Sequence, residues 1–149
     1  MRSVYLPLAR DVFPDALEVF DFVDSSVVAG VRETTNVPSQ ALFLLNSTLV
    51  SNQAQKLADR IMNAYPGGSG AGAMVNFAER INFAYWLVLS RPPSTGERDA
   101  AQNFLAKFPG DWKKTEKSRA IFKDSEGVKA AWTSLCRALF ASSDFRYVY

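Results

Sequence analysis

Apolar positions along this chain recur three and four residues apart, and the gaps between such stretches hold proline, glycine, serine and asparagine. That spacing is the period of a helix with one buried face. The exception is Arg2 to Arg10, which alternates loosely (Val4, Leu6, Leu8) around Pro7 and reads as an extended arm. Phe13-Pro14-Asp15 reads as a helix start, with Pro14 at the first helical position and Asp15 at the positive end of the dipole. This helix is expected to run to about Phe22 and to bury Leu17 and Phe20, with a loop from Asp24 to Thr35.

Pro38 opens a second short helix that ends near Asn46. Asn46 or Ser47 caps a third, from about Thr48 to Tyr65, with Leu49, Val50, Ala54, Leu57, Ala58, Ile61 and Met62 on one face. Pro66 to Gly72 is the clearest break in the chain. A fourth helix is predicted over Met74 to Ser90. Its stripe of Met74, Phe77, Ala78, Ile81, Tyr85 and Val88 is widened by Trp86, Leu87 and Leu89, which predicts burial on much of the circumference. Ser94 and Glu97 have the spacing of a capping box, so a fifth helix is predicted from Thr95 to about Phe108, with Phe104 inward and Pro109-Gly110 as its end. Asp111 to Glu126 is weakly patterned, with room for one short helical piece around Thr115 to Phe122. The last long helix is predicted from Gly127 to Ser142 on Val128, Ala131, Trp132, Leu135, Ala138 and Leu139. Phe145, Tyr147, Val148 and Tyr149 form an aromatic tail expected to pack back on the bundle. The expected fold is all-α: a small helical bundle of about five to six helices with an extended N-terminal arm.

At 149 residues the chain is expected to be a single helical domain spanning 1–149, large enough for a sizeable core. Hydrophobic residues make up 48%, too many for disorder, yet the longest apolar runs fall far short of the roughly 20 residues a membrane span needs. Met1-Arg2 leads straight into Ser3-Val4-Tyr5 rather than into an apolar signal segment. The chain opens in mid-pattern and is therefore expected to be a fragment of a longer protein. A net charge of +2 does not demand a polyanionic partner. The absence of histidine removes Ser-His-Asp triads, Cys-His dyads, CxxCH haem attachment and nearly every imidazole zinc site. No cofactor is expected.

The quoted segments also carry a resemblance. Arg2 to Pro7, Phe20-Asp21, Asp24, Arg32, Thr35, Val37-Pro38, Gln40-Ala41-Leu42 and Leu44-Leu45-Asn46 make up its first part. Ala84-Tyr85, Leu87, Leu89, Arg91-Pro92-Pro93 and Glu97 continue it, and Trp132, Leu135-Cys136, Ala138-Leu139-Phe140, Ser142 to Phe145 and Tyr147-Val148 close it. This order resembles a C-terminal domain-of-unknown-function family of large planctomycete multidomain proteins, often associated with cytochrome-c-like haem domains. The resemblance implies missing upstream modules and an exported, periplasmic or cell-surface setting. It implies no catalytic residues.

Several groupings hold candidate chemistry. Asp21 and Asp24, with Glu33 nearby, suit a carboxylate pair or a calcium site, and equally suit helix capping or pairing with Arg2, Arg10 and Arg32. Thr34, Thr35, Ser39 and Gln40 around Pro38 can meet a ligand or satisfy backbone groups at a helix start. No serine is followed three residues later by lysine, so a local serine-lysine pair is absent. Cys136 reads as core filler on the last helix. Asn46-Ser47-Thr48 matches a glycosylation sequon, but capping explains it better. Trp112, Lys113, Lys114, Lys117, Arg119 and Lys123 form a candidate binding patch, basic and aromatic, against a plain solvated loop as the alternative. Arg2, Asp21, Asp24, Arg32, Gln40, Asn46, Arg91 and Glu97 form a candidate structural polar signature.

These readings point to a non-catalytic docking or interaction module. Its expected partners are the upstream domains of its parent, with another protein or an acidic polysaccharide as further candidates; nucleic acid and a membrane span are not expected. A rival reading has the domain complete a polysaccharide-degrading active site built upstream, which needs two carboxyls about 5 to 9.5 Å apart in one cleft.

Overall fold

The structure, a computed structural model, describes residues 14–23, 28, 30, 31, 35–65, 71–115 and 124–147. Within them the chain is helical throughout: α1 Asp15–Glu18, α2 Pro38–Asn46, α3 Thr48–Ala64, α4 Ala71–Leu89, α5 Thr95–Thr115, α6 Asp124–Ala141 and α7 Ser143–Arg146. Five longer helices thus make an all-α bundle flanked by two single turns, and no strand occurs among the described residues. The arm over 2–10 and the helical piece expected around 115–122 lie essentially outside the described residues.

Helix α6 is central and touches α2, α3, α4, α5 and α7. It contributes Ala131, Trp132, Leu135, Cys136 and Leu139 to a core completed by Ala54, Ala58 and Ile61 of α3, Ile81, Ala84 and Tyr85 of α4, and Ala101 and Leu105 of α5. The alanines let α3 and α6 approach closely, and Trp132 fills the space between helices, its ring edge-on to Phe77 at 5.9 Å. Cys136 is fully buried, and burial pushes its thiol up to about 12, so it is a core side chain.

Several boundaries depart from the pattern for identifiable reasons. The first helix stops at Glu18 rather than near Phe22. The Phe22 amide donates to Leu17 O and the Asp21 amide to Glu18 O, which is a Schellman turn with Asp21 in the left-handed region (φ 55°). Aspartate tolerates that conformation better than most residues, so the stop carries no glycine to announce it. Helix α5 continues through Pro109-Gly110 to Thr115. An internal proline loses one amide donor and crowds one carbonyl, which weakens a helix without forbidding it. Ser47, not Asn46, caps α3 by accepting from the Val50 amide at 3.5 Å. Five side chains expected on inward stripes are instead at the surface: Leu49, Trp86, Phe104 and Val128 are 67%, 54%, 38% and 36% exposed, and Ala138 is exposed too.

Arginines from neighbouring helices tie two helix ends into the bundle. Arg80 of α4 donates from Nε to Tyr65 O (2.7 Å) and from Nη2 to Met62 O (3.4 Å), at the end of α3. Arg137 of α6 donates from Nη2 to Leu45 O at the end of α2. Both supply donors where carbonyls lack helical partners and the dipole is negative.

Candidate functional site

Two polar clusters meet at the single turn α7. The first begins with Asp21, aimed by its left-handed backbone toward the start of α2. Its carboxylate accepts from the Thr35 amide (2.7 Å) and hydroxyl (2.7 and 2.9 Å), and at 3.5 Å from Gln40 Nε2. Gln40 lies on the first turn of α2 and is the buried polar side chain of the described core, 1% exposed. Its Nε2 donates to Thr35 O at 3.0 Å. Its Oε1 accepts from Arg146 Nη1 (2.7 Å) and from the Tyr147 hydroxyl (3.0 Å). Arg146 also donates to Asn36 Oδ1 at 3.0 Å, and the Tyr147 hydroxyl also donates to Thr35 O. Both ends of the Gln40 amide are therefore occupied, as burial of such a group requires.

The second cluster is centred on Arg91, just past the end of α4. The turn is made by Ser90, also left-handed (φ 56°), whose amide returns to Trp86 O at 3.2 Å. Arg91 clasps Glu97 with two bonds, Nη1 to Oε2 at 2.9 Å and Nη2 to Oε1 at 2.8 Å. The same Nη2 donates to Asp144 Oδ2 at 2.5 Å. Glu97 Oε2 also accepts from the Ser94 amide (2.8 Å), while Ser94 Oγ accepts from the Glu97 amide (3.3 Å), so the capping box forms as its spacing predicts. The Arg91 guanidinium holds the Glu97 carboxyl down at about 2, helped by Ser94 against partial burial, and the two carboxylates raise the Arg91 pKa. Burial pushes the Tyr85 hydroxyl up, and Glu97 adds to it.

Beside this cluster lies a cleft of about 440 Å³. Val88 to Arg91 form one wall, and Asp144, Phe145 and Tyr147 form the other. Asp144 and Glu97 share one guanidinium, so two carboxylates do lie close together. The Arg91 clasp favours the ionised form of Glu97, whereas the proton donor of a glycosidase is a carboxyl whose environment raises its pKa. Among the described residues no three His, Cys, Asp or Glu side chains are grouped to hold a metal ion.

The structure thus brings together Asp21 with Gln40, and Arg91 with Glu97. Asn46 is exposed at the last position of α2 and belongs to neither cluster. Arg2, Asp24 and Arg32 lie outside the described residues, as do Thr34 and Glu33. Of the basic patch, Trp112, Lys113 and Lys114 fall on the last turn of α5, whereas Lys117, Arg119 and Lys123 lie outside the described residues. Sequence reasoning missed the partners on α7 and just after it: Asp144, Arg146 and the hydroxyl of Tyr147. One signal was present. Ser142 followed by Asp144 is a helix start, and Ser142 Oγ does accept from the Phe145 amide.

A family model described as PSD1, protein of unknown function (DUF1553), matches residues 1–105. The match takes in Asp21, Gln40, Arg91 and Glu97, and ends before α7 and Tyr147, which supply the partners Asp144, Arg146 and the Tyr147 hydroxyl. Comparison with curated proteins and with solved structures finds no match.

Proposed function

The chain belongs to this DUF1553 family of unknown function, and we propose that it acts as a non-catalytic docking module at the C-terminal end of a larger planctomycete protein. It holds an upstream domain of its parent, or a separate protein, against its surface. Trp86 carries the reading: a tryptophan 54% exposed in the last turn of a helix whose other face is core. Tryptophan is the side chain that most often anchors protein interfaces, because one residue contributes a large apolar area with little entropy to lose. Leu42 and Leu49, 58% and 67% exposed on α2 and α3, add apolar surface beyond what the core uses. The polar clusters support the same reading from the other side, since their donors and acceptors are engaged in joining helices.

The test is capture of the separately expressed upstream part of the parent protein by this chain at low and at high salt. Retention at high salt, weakened at least about tenfold by Trp86→Ala, is the expected result for an apolar anchor of hot-spot size. Absence of association at either salt contradicts the proposal. Association seen at low salt alone moves the contact to the basic stretch from Lys113 to Lys123.

A further inference from the structure

We propose that α7 is a latch for the segment from Pro14 to Val23: the two seat and release together, and the Gln40 side chain is the relay between them. Neither segment has an interior of its own. Helix α1 is a single turn, and of the described side chains from Pro14 to Val23 none is buried. Helix α7 is likewise one turn without a buried residue. Elements with so little apolar burial belong to the part of a fold that opens first.

The relay is directional. Gln40 turns Nε2 toward Thr35 O and the Asp21 carboxylate, and Oε1 toward Arg146 Nη1 and the Tyr147 hydroxyl. Flipping the amide would set its oxygen against a carboxylate and a carbonyl, and its NH2 against a guanidinium, so one orientation serves both sides. The side chain is fully buried, and a partner lost on one side is not replaced by water while the joint stays closed. Thr35 O is itself reached from both sides, by Gln40 Nε2 and by the Tyr147 hydroxyl.

Each segment has further holds on its own side. Phe20 sets its ring edge-on to Phe43 at 5.8 Å, and Asp21 binds the Thr35 amide and hydroxyl. At the other side Asp144 is tied to Arg91, and Phe145 meets the Phe140 ring at 5.1 Å. Helix α2 stays in place when either segment lets go, because it packs on α6 and Arg137 holds Leu45 O. The released state thus keeps the core, while Gln40 exchanges its four protein partners for water. Such coupling is mutual: what lifts α7 loosens the turn at Asp21, and what loosens that turn lifts α7. The cleft wall of Asp144, Phe145 and Tyr147 therefore responds to a segment far away in the sequence.

The experiment is amide hydrogen exchange of the full chain, read by NMR. Asp144→Ala strikes the latch at a distance, since Asp144 bonds to Arg91 and Ser143 rather than to Asp21, Thr35 or Gln40. Arg146→Ala strikes it at the relay. Both should quicken exchange at least about fivefold, the factor for one lost hydrogen bond, at Phe145 and Tyr147 and equally at Asp21, Phe22 and Thr35. Phe20→Ala, made on the other side, should quicken Phe145 and Tyr147 by a similar factor. The amides of Ile61, Ile81 and Leu135 should keep their protection in all three variants. Unchanged exchange at Asp21, Phe22 and Thr35 in both α7 variants overturns the latch, as does unchanged exchange at Phe145 and Tyr147 in Phe20→Ala. Protection lost evenly across the core as well would mean that no separate unit exists, and overturns it too.

Discussion

Two joints hold the C-terminal quarter of this chain to the rest, and they are built from opposite materials. Where α6 packs on α3, α4 and α5, the contact is alanine, isoleucine, leucine, Cys136, Tyr85 and one tryptophan, with the backbones close. Where α7 meets residues 35–40 and Arg91, the contact is carboxylate, amide, guanidinium and phenol. Apolar packing rewards any arrangement that fills the volume and so fixes position only to within what the shapes allow. A polar joint is less forgiving. A shift of an ångström leaves a buried amide or guanidinium without its partner, at a cost of about 1–3 kcal/mol per group. The core therefore provides most of the stability, and the seam determines where the tail lies and hence how the cleft is shaped.

That division can be broken from either side. Trp132→Ala is expected to have the largest effect, about 3–5 kcal/mol of lost stability, because the fully buried ring leaves a void its neighbours cannot close. Urea unfolding measures it, and a loss below about 1 kcal/mol would show the interior to be looser than described here. Gln40→Leu keeps the volume but strips the amide, leaving Arg146 Nη1 without its acceptor while the Tyr147 hydroxyl keeps Thr35 O; about 1–3 kcal/mol should be lost. Its distinguishing mark is local: hydrogen exchange should quicken at residues 143–147 while the amides of α3 and α4 stay protected.

The smallest effect concerns acid. Glu97 is held at about 2 in the fold against an ordinary value of 4.5, so its contribution is complete above pH 4.5 and fades as pH falls toward 2. Glu97→Gln retains the spacing of a capping box and should flatten the stability profile across that window. Because the pair is about one-third exposed, solvent screening keeps the effect at about 1 kcal/mol or less. An unchanged acid profile would remove the Arg91 clasp from the seam's energetics.

The core was legible in the sequence because periodicity is a local signal: Ala54, Ala58, Ile61, Ile81 and Leu135 announce themselves by spacing alone. Periodicity assigns a residue to a face but does not say whether that face finds a partner, which is why Leu49 and Trp86 were expected inward and lie outward. The capping box was legible because both its members lie within one turn. The seam was half legible. Gln40, Asp21, Arg91 and Glu97 stood out as polar residues beside apolar runs, yet Arg146 meets Gln40 across 106 residues of chain. No local rule connects positions so far apart, and the Schellman stop at Asp21 was hidden by the lack of a glycine.

The central claim is that these polar residues fasten the tail rather than perform chemistry. A double-mutant cycle on Gln40→Ala and Arg146→Ala, read by urea unfolding of the full chain, tests it most directly. A coupling of about 1 kcal/mol or more, as expected for residues sharing one buried hydrogen-bonded network, is the predicted result. Simple additivity of the two substitutions would contradict it.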